Sequence, residues 1–274
     1  MLTAENISVK RGRNTVLRQA YLSLRPGVLT VVVGPNGSGK STLIKAVTGE
    51  LPLARGGVRI LGKTLDEHLR HPREIAQWRA VLPQQSNLFF NFSVLDVVMM
   101  GRTPHLVRGE TARDYDICEQ ALERVGATAF RDRSFQQLSG GEKQRIQLAR
   151  VIAQLHDAVE QGRPGLLFLD EPTANLDLKH QYQILDTARE FAVAGLAVCV
   201  ILHDLEQARQ IADEVMVLNH GAVRGYGPAA DVLSASRIRH VFEVEAQWVE
   251  HQGELLLHTR SLSTNPANPK PTQP

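Results

Sequence analysis

The chain has 274 residues, 43% hydrophobic and 22% charged, the balance of a globular protein with a sizeable core rather than of a disordered or collagen-like one. Lys and Arg number 31 against 29 Asp and Glu, and the resulting net charge of +2 is too mild to point to nucleic acid. Two cysteines, Cys118 and Cys199, give neither a disulfide framework nor a metal site, which fits a reducing compartment.

The first residues, Met1 to Lys10, hold no apolar signal core. The longest apolar run, Phe191 to Leu202, has 12 residues, whereas a bilayer span needs about 20. The expectation is a chain soluble by itself that meets a membrane only through a partner. Glu5 to Val9 and Ala20 to Leu24 alternate around a turn at Arg11-Gly12-Arg13-Asn14, which predicts an antiparallel hairpin. Val28 to Val33 is a continuous valine-rich run, the pattern of a buried parallel strand, and a helical pattern follows from Ser41. The middle, from about Asn87 to Arg133, lacks such runs; Val94 to Met100, Arg113 to Val125 and the stretch from Gly141 onward read as helices. Leu166 to Leu169 and Ala197 to Leu202 are further buried strands, with helical patterns at Leu148 to Leu155 and Gln181 to Phe191. Strands alternating with helices predict an α/β fold with a mainly parallel sheet, into which a helical subdomain is inserted. Ser261 to Pro274, with four prolines and few apolar residues, reads as a disordered tail.

Gly34-Pro35-Asn36-Gly37-Ser38-Gly39-Lys40-Ser41-Thr42 fits the phosphate-loop pattern G-x-x-x-x-G-K-[ST], with a strand before it and a helix after it. Glycines let the backbone curl so that several N–H groups face a phosphate, and the following helix adds its positive end. Lys40 is expected to reach the β- and γ-phosphates of ATP, and Ser41 to ligate Mg²⁺. A chance glycine turn is the bland alternative, and the strand-loop-helix context argues against it.

Leu166 to Leu169 ends in Asp170-Glu171. Ligands of α/β sheets lie at the carboxyl ends of strands. Asp170 is therefore expected to face Mg²⁺, and Glu171 to polarise the attacking water as general base, a contribution of roughly 10²- to 10⁴-fold. The alternative is a solvated strand end. Leu138-Ser139-Gly140-Gly141-Glu142 precedes another helical run, Lys143 to Leu155; Ser139 and Glu142 have capping-box spacing, and Gly140 and Gly141 expose N–H groups at the helix start. Alone, a capping box is common. Beside a phosphate loop it offers a second anion site, which makes sense if two copies sandwich ATP and each gives this site to the other's γ-phosphate.

With these motifs in order, the sequence resembles the ATP-binding subunits of ABC transporters over roughly residues 2 to 250. The resemblance implies a P-loop NTPase (RecA-like) core with an N-terminal antiparallel β subdomain and an inserted α-helical subdomain. It implies a cassette over 1–260 with the helical insertion at approximately 87–160, and a tail at 261–274. Gln84, in Leu82-Pro83-Gln84-Gln85, is then the glutamine that senses Mg²⁺ and couples to the transmembrane partner, with Gln85 the fallback one place on. Ala174-Asn175-Leu176-Asp177 resembles the loop that crosses the dimer interface. His203, in Ile201-Leu202-His203-Asp204, resembles the switch histidine that meets the γ-phosphate; a lone histidine is usually structural, but this one ends a buried strand. One departure concerns adenine: the family places an aromatic before the first hairpin glycine, and here Lys10 and Arg11 precede Gly12, so Arg11 is the residue left to stack through its guanidinium plane.

Asn87-Leu88-Phe89-Phe90-Asn91-Phe92 reads either as core or as a partly exposed surface for membrane helices. Val98-Met99-Met100-Gly101-Arg102-Thr103-Pro104-His105 resembles the V-x-x-G-R-x-P-H of metal-chelate importers. Trp78 to Ser86 and the polar insertion His156 to Gly165 resemble the hemin-importing branch. The resemblance implies heme as cargo, or otherwise a ferric siderophore or cobalamin. It also implies a homodimer on two transmembrane permease subunits, fed by a periplasmic substrate-binding protein, at the cytoplasmic face of a bacterial inner membrane. A soluble ABC ATPase acting on DNA or ribosomes is disfavoured by the single cassette and weak charge, and a GTPase or small-molecule kinase by the second anion loop and the missing N-K-x-D.

Overall fold

A computed structural model describes residues 1–84, 90–174 and 176–262. The chain opens with β1 (Leu2–Arg11) and β2 (Asn14–Leu24), then β3 (Leu29–Val33) and α1 (Lys40–Val47). Next come β4 (Arg55–Ile60), β5 (Lys63–Thr64), α2 (Leu65–Leu69), α3 (Pro72–Ala76) and β6 (Arg79–Leu82). Three helices follow: α4 (Val94–Met99), α5 (Ala112–Arg124) and α6 (Gly140–Glu160). The chain returns to β7 (Leu166–Asp170), α7 (Leu178–Val193), β8 (Ala197–Ile201), α8 (Leu205–Ile211), β9 (Glu214–Asn219) and β10 (Ala222–Pro228). It closes with α9 (Ala229–Val232), α10 (Ala235–Phe242), β11 (Val244–His251) and β12 (Glu254–Ser261).

One sheet has the order β10-β9-β3-β8-β7-β6, parallel except for β10 at its edge. A second, antiparallel sheet has the order β2-β1-β4-β5. β3, β7 and β8 are buried along their whole length, which is why their sequences run apolar without alternating. Successive side chains still point to opposite faces. Val31, Leu167, Leu169, Val198 and Val200 enter a core shared with α4 to α7. Val32, Leu166, Phe168, Cys199 and Ile201 enter a second core shared with α1 and the antiparallel sheet.

The predicted hairpin, buried strands and helices are all present; β1, β2, α6, β7 and α7 run longer than predicted, and β3, α4 and β8 one residue shorter. Ser93 and Thr111 cap α4 and α5, each in a reciprocal box with an aspartate three residues on. The polar stretch at His156 divides: its first half continues α6 to Glu160, and Gly162, at φ 58°, turns the chain toward β7. β4, β6 and the C-terminal strands were not foreseen, because β4 carries Gly56-Gly57 and two arginines and β6 has only four residues. Ser261, expected to head the proline-rich tail, is instead the last residue of β12, where it pairs with Val244. Residues 263–274 lie outside the described residues, as do Gln85, the 87–89 stretch and Asn175. Among the described residues no helix is long and apolar enough to cross a membrane.

Candidate functional site

The order of the parallel sheet brings the sequence motifs to one edge. β3, β6, β7 and β8 run side by side, and the phosphate loop, Gln84, Asp170-Glu171 and His203 follow their respective carboxyl ends. This is where an α/β sheet opens a crevice.

The loop Gly34 to Gly39 joins β3 to α1. A Cβ at Gly34 would stand 2.0 Å from the Leu218 carbonyl oxygen, so only glycine lets the loop pass β9 this closely. Gly39, at φ 105°, heads α1, a turn that L side chains rarely adopt. Lys40 is buried; its ammonium donates to the Gly34 carbonyl at 2.9 Å and to that of Pro35 at 3.1 Å, folding back over the loop. Burial lowers its pKa, and the charges of Glu171 and Asp170 oppose that shift. Ser38 Oγ is buried and has no hydrogen-bond partner among the described residues, a hydroxyl left free inside a ring of backbone. Pro35 and Ser41 are half-buried, Asn36 and Gly37 exposed, and Thr42 buried in α1. A nucleotide phosphate fits this set, which offers an unpartnered hydroxyl, a lysine that can swing from carbonyls to phosphate, and a helix end.

Ser41 Oγ donates to Asp170 Oδ1 at 3.1 Å. Burial pushes the Asp170 carboxyl up; the bond from Ser41 opposes this, and the charge of Glu171 adds to it. Among the described residues no group of three or more His, Cys, Asp or Glu could hold a metal. A hydroxyl, one carboxylate and an amide suit Mg²⁺ that takes its remaining ligands from phosphates and water.

Glu171 is the meeting point. Its Oε2 accepts from Gln84 Nε2 at 2.5 Å, and its Oε1 lies 2.6 Å from His203 Nε2. Its side chain is 13% exposed against 45% for His203. Glu171 holds φ at 49°, uncommon for a residue with a Cβ and a departure from the extended path of β7. The sequence reading missed one neighbour: Gln144, from the first turns of α6, donates through Nε2 to the backbone carbonyls of Glu171, at 3.4 Å, and of Pro172. In the sequence it is one polar residue among several at the start of α6, with no local signal of its role.

Ser139 caps α6: its hydroxyl accepts from the Glu142 amide, and its own amide donates to the Glu142 carboxylate. Ser139 and Gly140 are exposed, so the helix end is open to a ligand. They line a shallow cavity with Gly141, Arg145, Asp177 and His180. Asp177 caps α7. Arg11 lies exposed at the hairpin tip opposite Asn14, and the same hairpin carries Leu17 against Gly39.

The G-R-x-P-H segment faces inward. Gly101 passes so close to α6 that a Cβ would stand 2.2 Å from the Arg150 carbonyl oxygen. The Arg102 side chain, 2% exposed, pairs with Asp114 at 2.9 Å and Asp157 at 2.7 Å and donates to the Ala153 carbonyl. His105 Nδ1 stands 3.0 Å from Asp157, and the Pro104 carbonyl accepts from Arg73 and Gln77 of the α3 region. This segment fastens α3, α5 and α6 together. Of the phenylalanines before it, Phe90 is 74% exposed while Phe92 packs on the core.

Residues 17–174 match the ABC transporter family model. The chain is 45% identical to the hemin import ATP-binding protein HmuV of Plesiomonas shigelloides over 264 residues, covering 92% of this chain and 98% of that one. Its identity to the HmuV of Agrobacterium fabrum is 42% over 244 residues, covering 89% and 92%. Among solved structures, an inward-facing metal-chelate type ABC transporter superposes with a TM-score of 0.76 at 27% identity, covering 96% of this chain and 98% of that one.

Proposed function

The chain belongs to the ABC transporter family, and from that premise we propose that it is the ATP-hydrolysing subunit of a heme importer. It binds ATP and works as a dimer with a permease. The observation that carries the reading is the convergence of Gln84 and His203 on Glu171, next to Asp170, which takes the hydroxyl of Ser41 from the phosphate loop. The heme assignment draws its support from the two HmuV relatives.

In this reading the backbone N–H groups of Gly34 to Gly39, with Ser38 and Thr42, cradle the phosphates, and Lys40 leaves the Gly34 and Pro35 carbonyls to meet the β- and γ-phosphates. Arg11 stacks on the adenine. Ser41, Asp170 and Gln84 hold Mg²⁺, which neutralises phosphate charge when bound. Glu171 takes the proton of the attacking water, and His203, in contact with Glu171, reads the γ-phosphate. Ser139, Gly140 and Gly141 of one copy complete the phosphate site of the other. Closure of the two copies pulls on a pair of permease subunits through the segment that follows Gln84, and hydrolysis reopens them. The subunit works at the cytoplasmic face of a bacterial inner membrane, with a periplasmic binding protein delivering cargo to the permease. The helical insertion at approximately 87–160 is the part that carries the permease contact.

The test is ATP-driven uptake by the chain reconstituted with its permease in proteoliposomes, comparing heme with a ferric siderophore and cobalamin, and with Glu171→Gln as control. Heme uptake that vanishes in the control supports the reading. Uptake of a different chelate keeps the mechanism and removes heme as cargo; uptake of none removes the importer assignment.

A further inference from the structure

Glu171 carries its carboxylate from a left-handed backbone, at φ 49°, directly after a fully extended strand. A residue in that region turns its carbonyl away from the strand direction, and such a conformation persists only where its surroundings hold it. Two groups hold the Glu171 carbonyl: the Ala174 amide at 3.3 Å, and the Gln144 side-chain amide at 3.4 Å. Gln144 Nε2 has two hydrogens and spends the other on the Pro172 carbonyl, so one side chain spans the peptide that follows the carboxylate. Gln144 stands in α6, a little over one helical turn from the Ser139 cap. The helix end that opens toward a second ligand therefore also grips the backbone of Glu171.

We propose that Gln144 is a positioning residue for hydrolysis, which fixes the backbone of Glu171 and ties it to the anion-binding end of α6. This rests on the reading of Glu171 as general base. Gln144 is not itself placed to touch the water or the nucleotide; it acts on where the carboxylate points. A phosphate that draws the α6 end of one protomer would, through Gln144, bear on the carboxylate of that same protomer.

The test compares steady-state ATP hydrolysis by the full chain carrying Gln144→Met, which keeps length and helix preference but cannot donate, with Gln144→Lys, which keeps a donor. Circular dichroism and melting temperature establish that both variants fold. Gln144→Met is expected to lower kcat about tenfold, the scale of one lost hydrogen bond expressed in a rate. Its KM for ATP should stay within about twofold of the native value, since a base that is merely misdirected leaves nucleotide binding alone. Gln144→Lys is expected to recover most of the loss. Native turnover in Gln144→Met, equal losses in both variants, or a rise in KM that accounts for the loss would overturn the proposal. Glu171→Gln run alongside separates the two readings. If it is inactive while Gln144→Met is native-like, only the role of Gln144 is wrong; if it hydrolyses ATP normally, the base assignment is wrong and the Gln144 proposal goes with it.

Discussion

The imidazole of His203 and the carboxylate of Glu171 stand 2.6 Å apart, Nε2 to Oε1, across the ends of β8 and β7. The contact joins a half-exposed ring to a largely covered carboxylate, so the ring can sense a ligand while the carboxylate stays in place. His203→Ala should therefore lower kcat for ATP roughly 100-fold, with binding little changed because the phosphate loop is intact. Paired turnover and equilibrium-binding measurements check this, and near-native turnover would count against any role for the contact.

Lys40 bonds two loop carbonyls, those of Gly34 and Pro35. Lys40→Ala removes a charged donor from the phosphate site, a loss of about 10- to 100-fold in affinity for ATP. Titration calorimetry measures it directly. An affinity within twofold of native would show that the lysine never leaves the carbonyls.

Arg102 pairs with two buried aspartates, Asp114 and Asp157. Arg102→Met leaves Asp114 without its cation and Asp157 with only Arg113 and His105, and breaking a buried pair in this way costs about 3–5 kcal/mol. Urea unfolding should reveal it as a lower midpoint at pH 7, while the phosphate loop keeps its affinity for ATP. A midpoint equal to native would contradict the structural role given to this segment.

The same cluster predicts a pH dependence. Burial pushes the Asp157 carboxyl up, but the hydrogen bond and charge of Arg102, with Arg113 and His105, outweigh it and hold the carboxyl below its usual range. A folded-state pKa below the unfolded value gives stability that is present above the unfolded pKa, about 3.9, and lost as pH falls through the folded one. The stability difference between native chain and Asp157→Asn should be steady from pH 7 to about 5 and shrink below about pH 4. A difference that stays constant down to pH 3 would show that Asp157 does not titrate against Arg102.

The parts of the fold legible in sequence are those where local pattern and tertiary role agree. Val28 to Val33 and Leu166 to Leu169 are apolar because they are buried on both faces, and Gly34 must be glycine because the loop passes so close to the Leu218 carbonyl. The sequence places Ser41 after the loop that follows β3 and Asp170 at the end of β7, and the fold brings the two together. What was not legible depends on contacts distant in sequence. Gln144 reaches a carbonyl 27 residues away, and Arg102 finds a partner 55 residues on; nothing local distinguishes either from a surface side chain. β6 has four residues and owes its place to pairing with β7 rather than to propensity. G-R-x-P-H resembles a segment of metal-chelate importers, and in the fold it serves as an internal brace.

In the proposed function two copies close on ATP with Glu171 poised at the phosphate edge. Light scattering of Glu171→Gln at saturating ATP and Mg²⁺ tests it most directly. A stable dimer that dissociates when ATP is withdrawn is expected. A protein that stays monomeric under those conditions, with ATP bound, would contradict it.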